Sequence, residues 1–109
     1  MQLSEGPHKY HFPIRPALLN RNRNVRKHTE NKALILEAIR AYEGTRGGAT
    51  TLNVMFEVYL SHNQARHYLI ELLQGRMIEC DLGTKKYTVT EKGIRYLIAY
   101  YDLDRIVNS

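Results

Sequence analysis

Hydrophobic residues recur with a helical period from Leu34 to Leu73, alternate briefly after Gly75, and return to the helical period from Ile94 onward. Leu34, Ile35, Ala38, Ile39 and Tyr42 form one broad apolar face, which predicts a helix over about Glu30 to Glu43 with Thr29 as its cap. Gly44-Thr45-Arg46-Gly47-Gly48 predicts a flexible loop after it. Leu52, Met55, Phe56 and Tyr59 have the spacing of a short second helix beginning near Thr50 or Thr51, and Leu60 and Ser61 leave only a tight connection to the next element.

That next element is the best punctuated in the chain. Ser61 and Gln64 have the spacing of a capping box, in which each side chain satisfies a backbone amide beside the other. Gly75 is expected to close the helix in a left-handed conformation, so its body runs from His62 to Gln74. Ala65, Tyr68, Leu69, Leu72 and Leu73 share the side expected to face a core. Asn63, His67, Ile70, Glu71 and Gln74 share the other, with Gln64 and Arg66 at its edges. Met77 to Asp81 and Tyr87 to Val89 then read as two short strands, joined by Leu82-Gly83-Thr84-Lys85-Lys86 with its turn glycine. Thr90 is a good N-cap and Glu91 suits the positive start of a last helix, which runs toward Ile106. The predicted class is mainly α with a small β-hairpin, in the order helix, helix, helix, strand, strand, helix. Two helices joined so briefly make a helix-turn-helix, and the hairpin after them makes a wing.

The chemistry of the third helix fits that geometry. Asn63, Gln64, Arg66 and His67 carry side chains able to form directed hydrogen bonds to base edges in a major groove. Lys85 and Lys86, near the hairpin tip, suit a phosphate backbone.

Charge adds a second region to this picture. The 109-residue chain carries a formal +5, and residues 1–28 hold six basic side chains against one acidic, while the remainder holds ten of each. The excess therefore lies on a largely irregular arm, residues 1–28, ahead of a domain spanning 29–109 that is neutral as a whole. Pro7, Pro13 and Pro16 all lie in the arm and argue against a continuous helix before about Ala17. Arg21, Arg23, Arg26 and Lys27, interleaved with asparagines, form its densest basic cluster. This cluster suits electrostatic binding to DNA, including a narrow minor groove; RNA binding and a tail that aids solubility are the alternatives.

Three strings carry a resemblance to a known family. Leu60-Ser61-His62-Asn63-Gln64-Ala65-Arg66-His67-Tyr68-Leu69, then Leu72-Leu73-Gln74-Gly75-Arg76-Met77-Ile78-Glu79, then Tyr87-Thr88-Val89-Thr90-Glu91-Lys92-Gly93 resemble the archaeal winged-helix family of predicted transcriptional regulators and small chromatin proteins. The likeness spans about Asn31 to Asp104. It implies double-stranded DNA binding as a dimer, with the third helix in the major groove and the wing beside the backbone. The basic arm is not part of the family pattern, and the sequence reaches Ser109 too soon for the several heptads of the long C-terminal coiled coil expected of some relatives.

Dimerisation has support of its own in the last helix. Ile94, Leu97, Ile98 and Tyr101 form one stripe that closes the core, while Tyr96, Tyr100, Leu103 and Val107 form a second, expected to be a homodimer seam. The alternative is a monomer whose arm folds back over the tyrosines. Cys80, the lone cysteine, excludes an internal disulfide and is expected to be a half-buried strand residue. The pairs His8/His11 and His62/His67 lack further ligands for a metal, and Gly44 to Gly48 lacks the lysine of a phosphate-binding loop. No enzyme, cofactor or membrane partner is expected, and a cytoplasmic, nucleoid-associated location is. The leading expectation is a DNA-binding transcriptional regulator; an architectural chromatin protein and a protein-interaction module stand beside it.

Overall fold

The computed structural model describes residues 27–107. Its axis is α1 (His28–Arg46), in which Ala33, Leu34, Ile35, Leu36, Ala38 and Ile39 are fully buried. A helix that is apolar on nearly every side must be enclosed, and α2 (Thr51–Val58), α3 (His62–Gln74), strand β2 (Lys86–Val89) and α4 (Glu91–Val107) all pack against it. Each fully buried leucine or isoleucine contributes roughly 1.5–3 kcal/mol relative to exposure. Strand β1 (Ile78–Asp81) pairs antiparallel with β2, Ile78 opposite Val89 and Asp81 opposite Lys86. Among the described residues the order is helix, helix, helix, strand, strand, helix, as the sequence predicts. None of these helices is long and apolar enough to cross a membrane.

Several boundaries differ from expectation for identifiable reasons. Thr29 lies inside α1, and the cap is Lys27, whose backbone N–H donates to Glu30 Oε1 at 3.0 Å. An ammonium cannot accept a bond in return, so the cap is half a capping box. The predicted loop at Gly44 to Gly48 is mostly helix, which continues to Arg46 and closes on left-handed Gly47. Directly after it, Ala49 exchanges two backbone hydrogen bonds with Tyr87, at 3.0 and 2.7 Å, adding a one-residue third strand to the hairpin.

α2 begins as expected, with Thr50 and Asn53 forming a reciprocal capping box at 3.2 and 3.0 Å. Its orientation does not follow the Leu52, Met55, Phe56 and Tyr59 spacing. Val54 and Val58 are the buried positions and Met55 is half-buried, whereas Leu52, Phe56 and Tyr59 stand outward at 55%, 70% and 60% exposure. An eight-residue helix with apolar residues on both sides has no period that says which side turns in.

Candidate nucleic-acid interface

The third helix is fixed at its start, along its inner side and at its end. Gln64 N–H donates to Ser61 Oγ at 3.2 Å and Ser61 N–H to Gln64 Oε1 at 3.0 Å, the expected capping box. Ala65, Tyr68, Leu69 and Leu72 are buried and Leu73 is half-buried, again as expected. The end departs from the prediction. Gly75 is right-handed (φ −81°, ψ 0°), and Arg76 takes the left-handed position at φ 61°. Met77 N–H then reaches Leu72 O at 2.9 Å and Arg76 N–H reaches Leu73 O at 3.0 Å, the two bonds of a Schellman close displaced by one residue.

Tyr68 ties this helix to the start of α1. Asn31 Nδ2 donates to its hydroxyl at 3.0 Å, which leaves the hydroxyl hydrogen for Nδ1 of His28, also within hydrogen-bond reach. Asn31 Oδ1 is buried without a hydrogen-bond partner among the described residues. With its inner side clamped in this way, α3 presents Asn63, Gln64, Arg66 and His67 to solvent, together with Ile70 and Gln74. The oxygen of Gln64 is engaged in the cap, so its amide NH2 is the group that faces outward.

The acid on this surface is neutralised. Glu71 lies 3.2 Å from Lys32 Nζ of α1 and 3.0 Å from His67 Nε2 one turn back on its own helix. The hydrogen bond from Lys32 leads in holding the Glu71 carboxyl below the ordinary value of 4.5; the charges of Lys32, His67 and His28 add to this and desolvation opposes it. Sequence reasoning missed Lys32, because nothing in a linear pattern links the second turn of α1 to α3.

The hairpin tip is a compact turn. Asp81 Oδ1 accepts from the N–H groups of Gly83 (2.8 Å) and Thr84 (3.3 Å), and Lys85 N–H donates to Asp81 O at 2.6 Å. Gly83 lies in this turn as predicted, and Lys85, at φ 62°, supplies its left-handed residue. Lys85 is exposed at the tip, whereas Lys86 turns back, its Nζ donating to Arg46 O at 2.6 Å. That carbonyl is at the C-terminal end of α1, where the helix dipole favours a cation. Cys80 is half-buried in β1, as expected.

A family model described as winged helix-turn-helix matches residues 26–108. The chain belongs to this winged helix-turn-helix family. No curated protein matches it. Within the winged helix-turn-helix, α2 and α3 form the helix-turn-helix and the β1–β2 hairpin is the wing; the fold is one that binds DNA. Tyr59 closes α2 in the turn between the two helices with φ 58°. Thr90 caps α4 as predicted: its Oγ1 accepts from Gly93 N–H at 3.1 Å, and its hydroxyl donates to Arg76 O at 2.7 Å. The cap thus binds the start of α4 to the segment joining α3 to the wing.

The second stripe of α4 divides in two. Tyr96 and Tyr100 are half-buried against the core of their own chain, their rings stacked at 6.5 Å, and Tyr96 O–H donates to Thr29 O at 3.4 Å. Burial pushes the Tyr96 hydroxyl pKa up. Leu103 and Val107 lie at 61% and 69% exposure with Ile106 between them at 70%. Of the basic cluster in the arm, Lys27 is the exposed cap of α1, while Arg21, Arg23 and Arg26 lie outside the described residues.

Proposed function

We propose that this winged helix-turn-helix protein is a transcriptional regulator that binds double-stranded DNA as a homodimer, in the cytoplasm on the nucleoid. The observation that carries the reading is the outward side of α3, where Asn63, Arg66, His67 and the Gln64 amide stand exposed on a helix clamped from behind. In a major groove those side chains read or position on base edges, a good bidentate contact discriminating by roughly 1–3 kcal/mol. Lys85 holds phosphate from the wing, and Lys86 adds positive field beside the α1 end. Arg21, Arg23, Arg26 and Lys27 supply attraction from the arm, which the neutral domain lacks. The exposed end of α4, Leu103 and Val107 with Ile106 beside them, joins two copies, and Tyr96 and Tyr100 lie along the same seam.

Selection of bound duplexes from a random pool, followed by titration across a salt series, tests this reading. The expected product is a palindrome with half-sites about one helical turn apart or a multiple of that. Asn63→Ala or Arg66→Ala then relaxes specificity, and Lys85→Ala with Lys86→Ala lowers the salt slope. If the two helix substitutions leave affinity for every sequence unchanged, α3 is not the reader. Strong but indiscriminate binding identifies an architectural chromatin protein instead. Absence of binding identifies a protein-interaction module, a reading favoured by the outward Leu52, Phe56 and Tyr59 of α2.

A further inference from the structure

On the outward side of α3, among side chains that donate and accept hydrogen bonds, stands one aliphatic residue. Ile70 is 42% exposed, one turn beyond Arg66 and His67, two turns beyond Asn63 and one turn before Gln74. The inner side of the helix is already filled by Ala65, Tyr68, Leu69 and Leu72, so Ile70 is not a member of the core. Nor does the helix gain from it locally. A β-branched residue is a poorer helix former than the alanine, glutamine or arginine used elsewhere on α3.

The branching that makes isoleucine a mediocre helix former also fixes it largely in one rotamer, so its methyl groups are held out from the helix in a defined position. The carboxylate next to it, Glu71, is drawn away toward Lys32 and His67 at 3.2 and 3.0 Å and leaves this position apolar. In a major groove only one group on the base edges is apolar, the 5-methyl of thymine. We propose that Ile70 reads that methyl group, giving α3 a preference for an A·T pair beyond the bases that Arg66 and His67 reach. This rests on the reading of α3 as the helix that enters the groove.

The test compares duplexes recovered by selection with the same duplexes carrying uracil for thymine on both strands. That change removes the methyl group and keeps base pairing intact. For each methyl that Ile70 touches, the wild-type protein loses about fourfold in affinity on the uracil duplex, the effect of burying one methyl-sized group. Ile70→Ala, an exposed change to a better helix former, binds the thymine duplex more weakly and no longer distinguishes the two. Equal losses on uracil substitution in wild type and Ile70→Ala, or no loss in wild type, overturn the assignment while leaving α3 as the reader. Absence of binding to any duplex by the wild-type protein overturns both.

Discussion

Lys32 of α1 holds Glu71 of α3 at 3.2 Å, so the carboxylate on the outward side of α3 does not stand as an isolated charge. If α3 meets DNA as proposed, Lys32→Ala is expected to weaken binding to every duplex, by about threefold, because it leaves the Glu71 carboxylate with only His67 to offset it beside the phosphates. The double substitution Lys32→Ala with Glu71→Gln recovers most of that loss. A thermodynamic cycle of dissociation constants checks this. If the double variant binds no better than Lys32→Ala, Lys32 acts on phosphate in its own right.

The same pair sets a pH dependence of known sign. Lys32 lowers the folded-state pKa of Glu71 below 4.5, so the stabilisation is present above that value and fades as pH falls through the lower folded value. Thermal melts of the wild type and Glu71→Gln should differ near neutrality and converge in acid below pH 4.5. The difference is small, because both side chains are partly solvated. Melting curves whose separation grows on acidification contradict this.

What the sequence made legible, and what it did not, divides along the range of the interactions. Ser61 with Gln64 and Thr90 with Gly93 are pairings within one turn, so the Ser61/Gln64 spacing identified the start of α3, and Thr90 as a capping residue followed by Glu91 identified that of α4. The inner side of α3 was equally plain, because thirteen residues give the helical period room to show. Ala49 with Tyr87 and Lys32 with Glu71 are tertiary pairings that no local pattern encodes. Arg76 is a subtler case. The adjacent Gly75 is the better left-handed residue by propensity, yet Thr90 holds the Arg76 carbonyl and the bonds of Met77 and Arg76 back to Leu72 and Leu73 fix the turn one residue later.

Gly93 illustrates a constraint that the Thr90-Glu91-Lys92-Gly93 string contains without explaining. A Cβ at this position would run into the Met77 carbonyl oxygen and come within 2.6 Å of Val89 Cγ1. The Met77 oxygen is itself bound by Thr90 N–H at 3.0 Å, so it cannot yield without loosening the start of α4. Gly93→Ala is expected to cost roughly 3 kcal/mol, at the upper end of overpacking penalties. Urea denaturation checks it; a midpoint equal to that of the wild type means the carbonyl moves aside freely.

Tyr68→Phe keeps the buried ring and removes only the oxygen that joins α3 to His28 and Asn31. The Asn31 side chain is buried and already has one unpartnered oxygen, so its NH2 is left without the acceptor it has here. The expected cost is about 1–3 kcal/mol, the penalty for a buried donor left without an acceptor. Urea unfolding should show a lower midpoint with an unchanged slope, since the surface exposed on unfolding is the same. An unchanged midpoint shows that the hydroxyl stabilises the unfolded chain in water as much as the fold.

Removal of residues 1–26 tests how the work of binding divides between arm and domain. The deletion keeps Lys27, whose backbone N–H completes the cap of α1 with Glu30, so the fold itself should survive. It removes Lys9, Arg15, Arg21, Arg23 and Arg26, while residues 29–109 carry equal numbers of basic and acidic side chains. For every phosphate that a basic side chain no longer neutralises, the slope of log affinity against log salt falls by about 0.9. The truncated protein should therefore bind more weakly and with a shallower salt slope, yet rank duplex sequences in the same order, because the α3 side chains proposed to read bases are untouched. Titrations of selected and scrambled duplexes at several salt concentrations separate the two effects. An unchanged affinity would leave all the attraction to Lys85 and the basic side chains around α3, whereas a changed ranking would mean that the arm reads sequence as well.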